Sequence, residues 1–131
     1  MQTLDVETSS RSEFVDITAK VQAAARAEGP KRGVVHVYVP HTTAGVTVNE
    51  NADPAVTVDI LAALDRAVPW EAGYRHGEGN SAAHVKASMM GFSAHVPIEG
   101  GRLVLGTWQA VYFCEFDGPR SRKCYVQVIP C

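Results

Sequence analysis

No stretch of this chain approaches the roughly 20 apolar residues needed to cross a bilayer, so no membrane-spanning helix is expected. Lysine- or arginine-rich runs are also missing. The 131 residues carry a net charge of −2, and the basic footprint of a nucleic-acid binder is absent. The opening residues, MQTLDVETSS, lack the basic-then-apolar order of a secretory signal. Cysteine is scarce: Cys114, Cys124 and Cys131, an odd number with no CxxC spacing. Without an export signal this points to reduced thiols and a cytoplasmic location. Cys114 and Cys124 are expected to face each other across a hairpin, as buried apolar filler rather than a disulfide. No internal repeat or low-complexity tract interrupts the chain. What is present, 46% hydrophobic and 20% charged residues, suits one globular domain spanning 1–131 and able to bury its own core.

Patterning assigns the elements. TLDVETSS alternates like a short strand. DITAKVQAAARAEG reads as a helix, with Asp16 at the N-cap, Ile17 and Val21 one turn apart, and Gly29 placed to end it. GVVHVYVP is β-rich and closes at Pro40; AGVTVNE follows as a second strand after the gap HTT. DPAVTVDILAALDRAV is the clearest helix, capped by Asp53 with Pro54 at its first position and an apolar stripe of Ile60, Leu61, Leu64 and Val68. After a glycine-containing loop, NSAAHVKASMMG forms a third, short helix capped by Asn80 or Ser81. FSAHVPI, RLVLGTWQAVYFCEF and SRKCYVQVI then read as strands separated by the turn signals EGG and DGPR. Helices interrupt the front and strands cluster at the back, the pattern of a single α+β domain with a mostly antiparallel or mixed sheet and two to three helices. The chain is too short for a (β/α)₈ barrel.

Three histidines carry the candidate chemistry. His41 stands at the break between two strands, and Glu50 ends the second, so the two are expected near one edge of the sheet. His76 and His84 flank a turn containing Gly77 and Gly79 that lets their rings converge. His84 would sit in the first turn of its helix, where the macrodipole favours the neutral imidazole that binds metals or accepts protons. His41, His76 and His84 would make a three-ligand set for a divalent metal such as zinc or magnesium, with a fourth position open. Against this, His41 alone reads equally as a loop histidine bonded to a backbone carbonyl. The same helix start, behind the glycine-containing loop, offers the N–H groups of Ser81 to His84 to an anion. Lys86, Arg120 and Arg122 would add charge to a bound phosphate; the plainer reading of Lys86 is a solvated side chain. On the strand GTWQAVYFCEF, Gln109, Val111, Phe113 and Glu115 share a face. Glu115 there needs a cation, a metal or donors: it is either an acidic wall of the pocket or a cross-strand partner of Lys123 or Arg122. His36 and His95 lie within strands with no partner evident and read as structural.

Taken together, SAHVPIEGGRLVLGTWQAV, HTTAGVTVNENADP, AAHVKASMMG and FCEFDGPRSRK resemble the blocks of the YjbQ-like family, in that order and over nearly the whole chain. Ser93, Val96, Ile98, Gly101, Gly106, Thr107, Trp108, Gln109 and Val111 stand where its signature requires them. The resemblance implies an α+β homotrimer whose polar pocket contains His41, Glu50, His76, His84 and Glu115. It also implies a secondary thiamine-phosphate synthase activity, joining an aminopyrimidine methyl diphosphate to a thiazole phosphate with loss of diphosphate. On that reading His41, Glu50 and Glu115 are the catalytic candidates, and Asn80, Ser81, Lys86, Gln109 and Arg122 bind the phosphorylated substrate. The same residues also suit a metal-dependent hydrolase, with Glu50 or Glu115 as base, or a non-catalytic module that binds a phosphorylated metabolite.

Overall fold

In a computed structural model describing residues 1–131, two antiparallel sheets share one apolar core. The elements run β1 (Gln2–Glu7), β2 (Glu13–Asp16), α1 (Thr18–Glu28), β3 (Gly33–Tyr38), β4 (Ala44–Glu50), α2 (Pro54–Ala67), α3 (Ser81–Met90), β5 (Ser93–Glu99), β6 (Arg102–Leu103), β7 (Gln109–Glu115) and β8 (Ser121–Pro130). One sheet has the order β1-β8-β3-β5-β6 and the other β2-β7-β4. The period-two pattern of the strands explains the core between them. Val35 and Val37 of β3, Val96 and Ile98 of β5, and Val126 and Val128 of β8 meet Val46 of β4 and Val111 and Phe113 of β7, with Val21, Ala24 and Ala25 of α1 closing one side. Alternate residues of β7, namely Ala110, Tyr112 and Cys114, face outward and are covered by Leu64 of α2 and Ala83 and Ala87 of α3. No helix is long and apolar enough to cross a membrane.

Local chemistry sets the helix positions. Asp53 accepts a hydrogen bond from the Ala55 N–H at 2.9 Å, with Pro54 in the first turn of α2, as the sequence indicates. Asp16 receives the Thr18 N–H at 2.9 Å, but it stands one residue before Ile17, which occupies the cap position of α1. Helix α3 lies so close to β4 that a Cβ on Gly45 would fall 2.6 Å from the Gly91 carbonyl oxygen. Only glycine permits that approach.

Two expectations fail here. RLVLGTWQAVYFCEF is not one strand: the chain leaves the five-stranded sheet after Leu103 and enters the other at Gln109. The crossing is a turn in which Gln109 N–H donates to the Gly106 carbonyl while its side-chain Oε1 accepts the Gly106 N–H at 2.7 Å. For the same reason β7 and β8 form no hairpin. Cys114 packs among the helices and Cys124 within the inter-sheet core, so they do not face each other, and all three thiols are free. The four-residue strand β2 (EFVD) was not legible in the sequence; it is too short to show a period.

Candidate functional site

The chain reversal that separates β7 from β8 gathers three loops at one end of the two sheets. The β4–β7 register pairs Ala44 with Glu115, which brings the β3–β4 link, the β7–β8 loop and the start of β8 together. The start of α3 and the loop before it complete the wall. Between them lies a cleft of about 460 Å³ lined by Pro40, His41, Thr42, Thr43, His76, Glu78, Asn80, His84, Asp117, Arg120 and Arg122. None of the eleven is hydrophobic, so a ligand there is held by charge and hydrogen bonds rather than by apolar burial.

A buried ion pair forms the floor. Glu115, wholly buried on β7, and Arg122, 4% exposed on β8, come from opposite sheets. Arg122 Nε donates to Glu115 Oε1 at 2.9 Å and Nη2 donates to Oε2. The Glu115 carboxylate also accepts the Thr8 hydroxyl at 2.8 Å and the N–H groups of Phe116 and Asp117 at 3.1 and 3.2 Å. Burial by itself would raise this carboxyl, but the Arg122 guanidinium, Thr8 and the Asp117 N–H together hold it below the usual carboxylate range. Arg122 Nη2 is further fixed by Thr43 Oγ1 at 2.8 Å, while Nη1 has no partner within the chain. The network therefore orients one free N–H edge of a guanidinium at the cleft.

Above the floor, Asp117 accepts from Asn80 Nδ2 at 2.8 Å and from Arg120 Nη2 at 3.1 Å. This bond diverts Asn80 from capping α3 with its side chain. The N–H groups of Ala83 and His84 bond the Asn80 carbonyl, leaving those of Ser81 and Ala82 as the free donors of the helix start, two fewer than expected. His76 and His84 meet edge to face with ring centres 5.3 Å apart. His41 is bound differently: its Nε2 accepts the Lys123 N–H at 2.9 Å, replacing the strand partner lost where Pro40 ends β3. Burial, then the charge of Arg122, lowers the His41 pKa below 6.5, consistent with a bond that requires the neutral ring.

The expected site is thus partly assembled and partly corrected. His41, His76, His84, Asn80 and Arg122 line one cleft. Ser81 lies beside it, against His76 and His84. Glu50 does not belong: it pairs with Gln109 at the far end of β4, six residues from Ala44, about 20 Å away at strand rise. Gln109 is spent on its turn. Lys86 is neither solvated nor in the cleft; it is buried beside α2 and paired with Asp65. Glu115 is in the floor but has no lone pair facing a ligand. No three histidine, cysteine or acidic side chains stand close enough to hold an ion, and the Nε2 of His41 is already engaged. The three-histidine metal set therefore does not fit this arrangement. Sequence reasoning missed Thr8, Thr43 and Asp117. The last stands in the quoted block FCEFDGPRSRK, but nothing in its spacing signals a bond to Asn80 37 residues earlier.

An α+β domain of two antiparallel sheets, with a wholly polar histidine- and arginine-lined cleft at one end, defines the class. Within it, the family described as "UPF0047 protein YjbQ-like" matches residues 2–131, and the chain belongs to that family. UPF0047 protein YugU of Bacillus subtilis is 52% identical over 130 residues, covering 98% of each chain. UPF0047 protein MJ1081 of Methanocaldococcus jannaschii is 48% identical over 124 residues, covering 95% of this chain and 90% of its own. Among solved structures, an uncharacterized conserved protein of the yjbq/upf0047 family from Clostridium acetobutylicum superposes with a TM-score of 0.96 at 52% identity, over 98% of this chain and all of the other. A YbjQ-like protein of unknown function from Sulfolobus solfataricus superposes with a TM-score of 0.94 at 31% identity, over 99% and 96% of the two chains.

Proposed function

We propose that the cleft binds the phosphoryl end of a small phosphorylated molecule and stabilises diphosphate as it leaves. The observation that carries this reading is the guanidinium of Arg122, held by Glu115 and Thr43 so that its Nη1 is unspent and faces an all-polar cavity. Fixed donors of this kind gain strength in a water-poor site and need no reorganisation as charge develops. Arg120 adds a second guanidinium to the same wall. The thiamine-phosphate synthase activity implied by the family resemblance is a reaction of this type. It needs charge neutralisation on the leaving diphosphate more than it needs a strong base. With Glu50 remote and Glu115 saturated, His84, its neighbour His76 and the exposed Glu78 beside His76 are the groups left to move a proton in the cleft.

Incubation with an aminopyrimidine methyl diphosphate and a thiazole phosphate tests the activity, and inorganic pyrophosphate binding tests the site. Thiamine phosphate formed faster by the wild type than by His84→Ala is expected. Pyrophosphate binding with no turnover leaves a metabolite-binding module. No pyrophosphate binding refutes both.

A further inference from the structure

Outside the cleft, on the exposed face of the five-stranded sheet, two histidines that look isolated in sequence stand side by side. His36 of β3 and His95 of β5 are directly opposed in the antiparallel register. His36 Nδ1 and His95 Nε2 are 2.8 Å apart, and the ring centres are 4.7 Å apart with the planes inclined at 35°. We propose that this pair is a two-nitrogen chelate for an imidazole-preferring divalent ion of the Ni²⁺, Cu²⁺ or Zn²⁺ type.

The distances argue for it. Two imidazole nitrogens bound at about 2.05 Å to one ion, at angles from about 90° to 109°, stand about 2.9–3.4 Å apart, with ring centres about 4.5–5.2 Å apart. The observed ring centres fall inside that range, and the nitrogens need to part by only about 0.1 Å to reach its lower end. A straight nitrogen–nitrogen hydrogen bond of this length would instead put the ring centres about 5.1 Å apart. The pair is therefore bent away from a straight nitrogen–nitrogen bond, with its ring centres at a chelate's separation. The ring that now donates needs only to move its proton to its far nitrogen, and two neutral rings then bind without releasing a proton.

The surroundings permit an ion. The outward neighbours Val34, Tyr38, Ser93, Pro97, Tyr125 and Gln127 carry no charge, so no lysine or arginine repels it. His95 is exposed, and the backbone bonds of the neighbouring segment stop short of it: β6 pairs with Ile98 and Glu99, and the Val104 N–H donates to the Pro97 carbonyl at 2.8 Å. The remaining coordination positions are therefore free for water. With nitrogen donors and no carboxylate, the site discriminates against Mg²⁺ and Ca²⁺.

Titration calorimetry with Ni²⁺ tests the assignment, in a His84→Gln background that removes the other histidine pair. One Ni²⁺ per chain is expected. His36→Gln and His95→Gln should each weaken binding about tenfold or more, and Mg²⁺ should give no heat. Both residues are on the surface, so the variants should melt within a few degrees of the parent. Affinities unchanged in both variants, or no binding by the parent, would overturn the proposal. Neither result bears on the pyrophosphate site, which uses different residues.

Discussion

Replacing Glu115 by glutamine changes one oxygen for an NH₂ group and removes one charge, yet it should cost more than any other isosteric change in this protein. Five donors converge on the carboxylate: Thr8, two from Arg122, and the N–H groups of Phe116 and Asp117. An amide cannot satisfy them. Its NH₂ at the Oε2 position would confront three donors, so it is driven to the Oε1 position, where it meets Arg122 Nε. The guanidinium, 4% exposed, is left without a counter-charge. Removing one partner of a buried pair costs about 3–5 kcal/mol, which for a chain of this size corresponds to a fall in melting temperature of roughly 10–20 °C. Circular dichroism melts at pH 7 measure it. The double variant Glu115→Leu/Arg122→Met, which removes both charges, should recover part of the loss, because apolar replacement of a whole buried pair is often neutral. The pH dependence follows from the direction of the Glu115 shift. Its folded pKa lies below the ordinary 4.5, so its contribution is complete above about 4.5 and is lost as pH falls through the folded value. The Glu115→Gln variant should therefore lose less stability than wild type below pH 4.5. A melt within 3 °C of wild type, or an unchanged acid slope, would refute the account of the floor.

His41 predicts a second pH effect. Its folded pKa is below 6.5, so the unfolded chain takes up the proton first and stability declines as pH falls below 6.5. Denaturant midpoints for His41→Gln should show a shallower decline in that range. Lys86→Met should leave pyrophosphate affinity within about twofold of wild type, because Lys86 is buried against Asp65 and not in the cleft. A loss approaching tenfold would place it in the site after all. Light scattering at micromolar concentration should give the mass of a trimer. Trp108, Val58 and Met89 are each more than half exposed in the single chain, and a stable assembly would be expected to cover such side chains. A monomer would remove that inference.

Residues 33–50 and 54–67 were legible because each carries one strong period bounded by punctuation: Pro40 ends β3, and Asp53–Pro54 starts α2. The cleft was legible in its histidines and Arg122, which are chemically conspicuous and lie at element ends. What was not legible was partnership across the two sheets. From the sequence, FCEFDGPRSRK resembles a hairpin, which makes Arg122 a same-sheet neighbour of Glu115. In the fold the chain uses those turn residues to change sheets, so the same two residues meet through the core instead. That difference decides the chemistry. A surface cross-strand pair would leave Glu115 free to act as a base, whereas an inter-sheet pair seals it and turns Arg122 outward. The misplacement of Glu50 has the converse origin. The first residue of β4 lies at the cleft, and seven residues of extended chain carry the last to the opposite end. Nearness in sequence to Asn51 and the α2 cap is no nearness to His41. Period and punctuation identify elements, but which end of a strand meets which loop is fixed by topology, and the cleft is a product of topology.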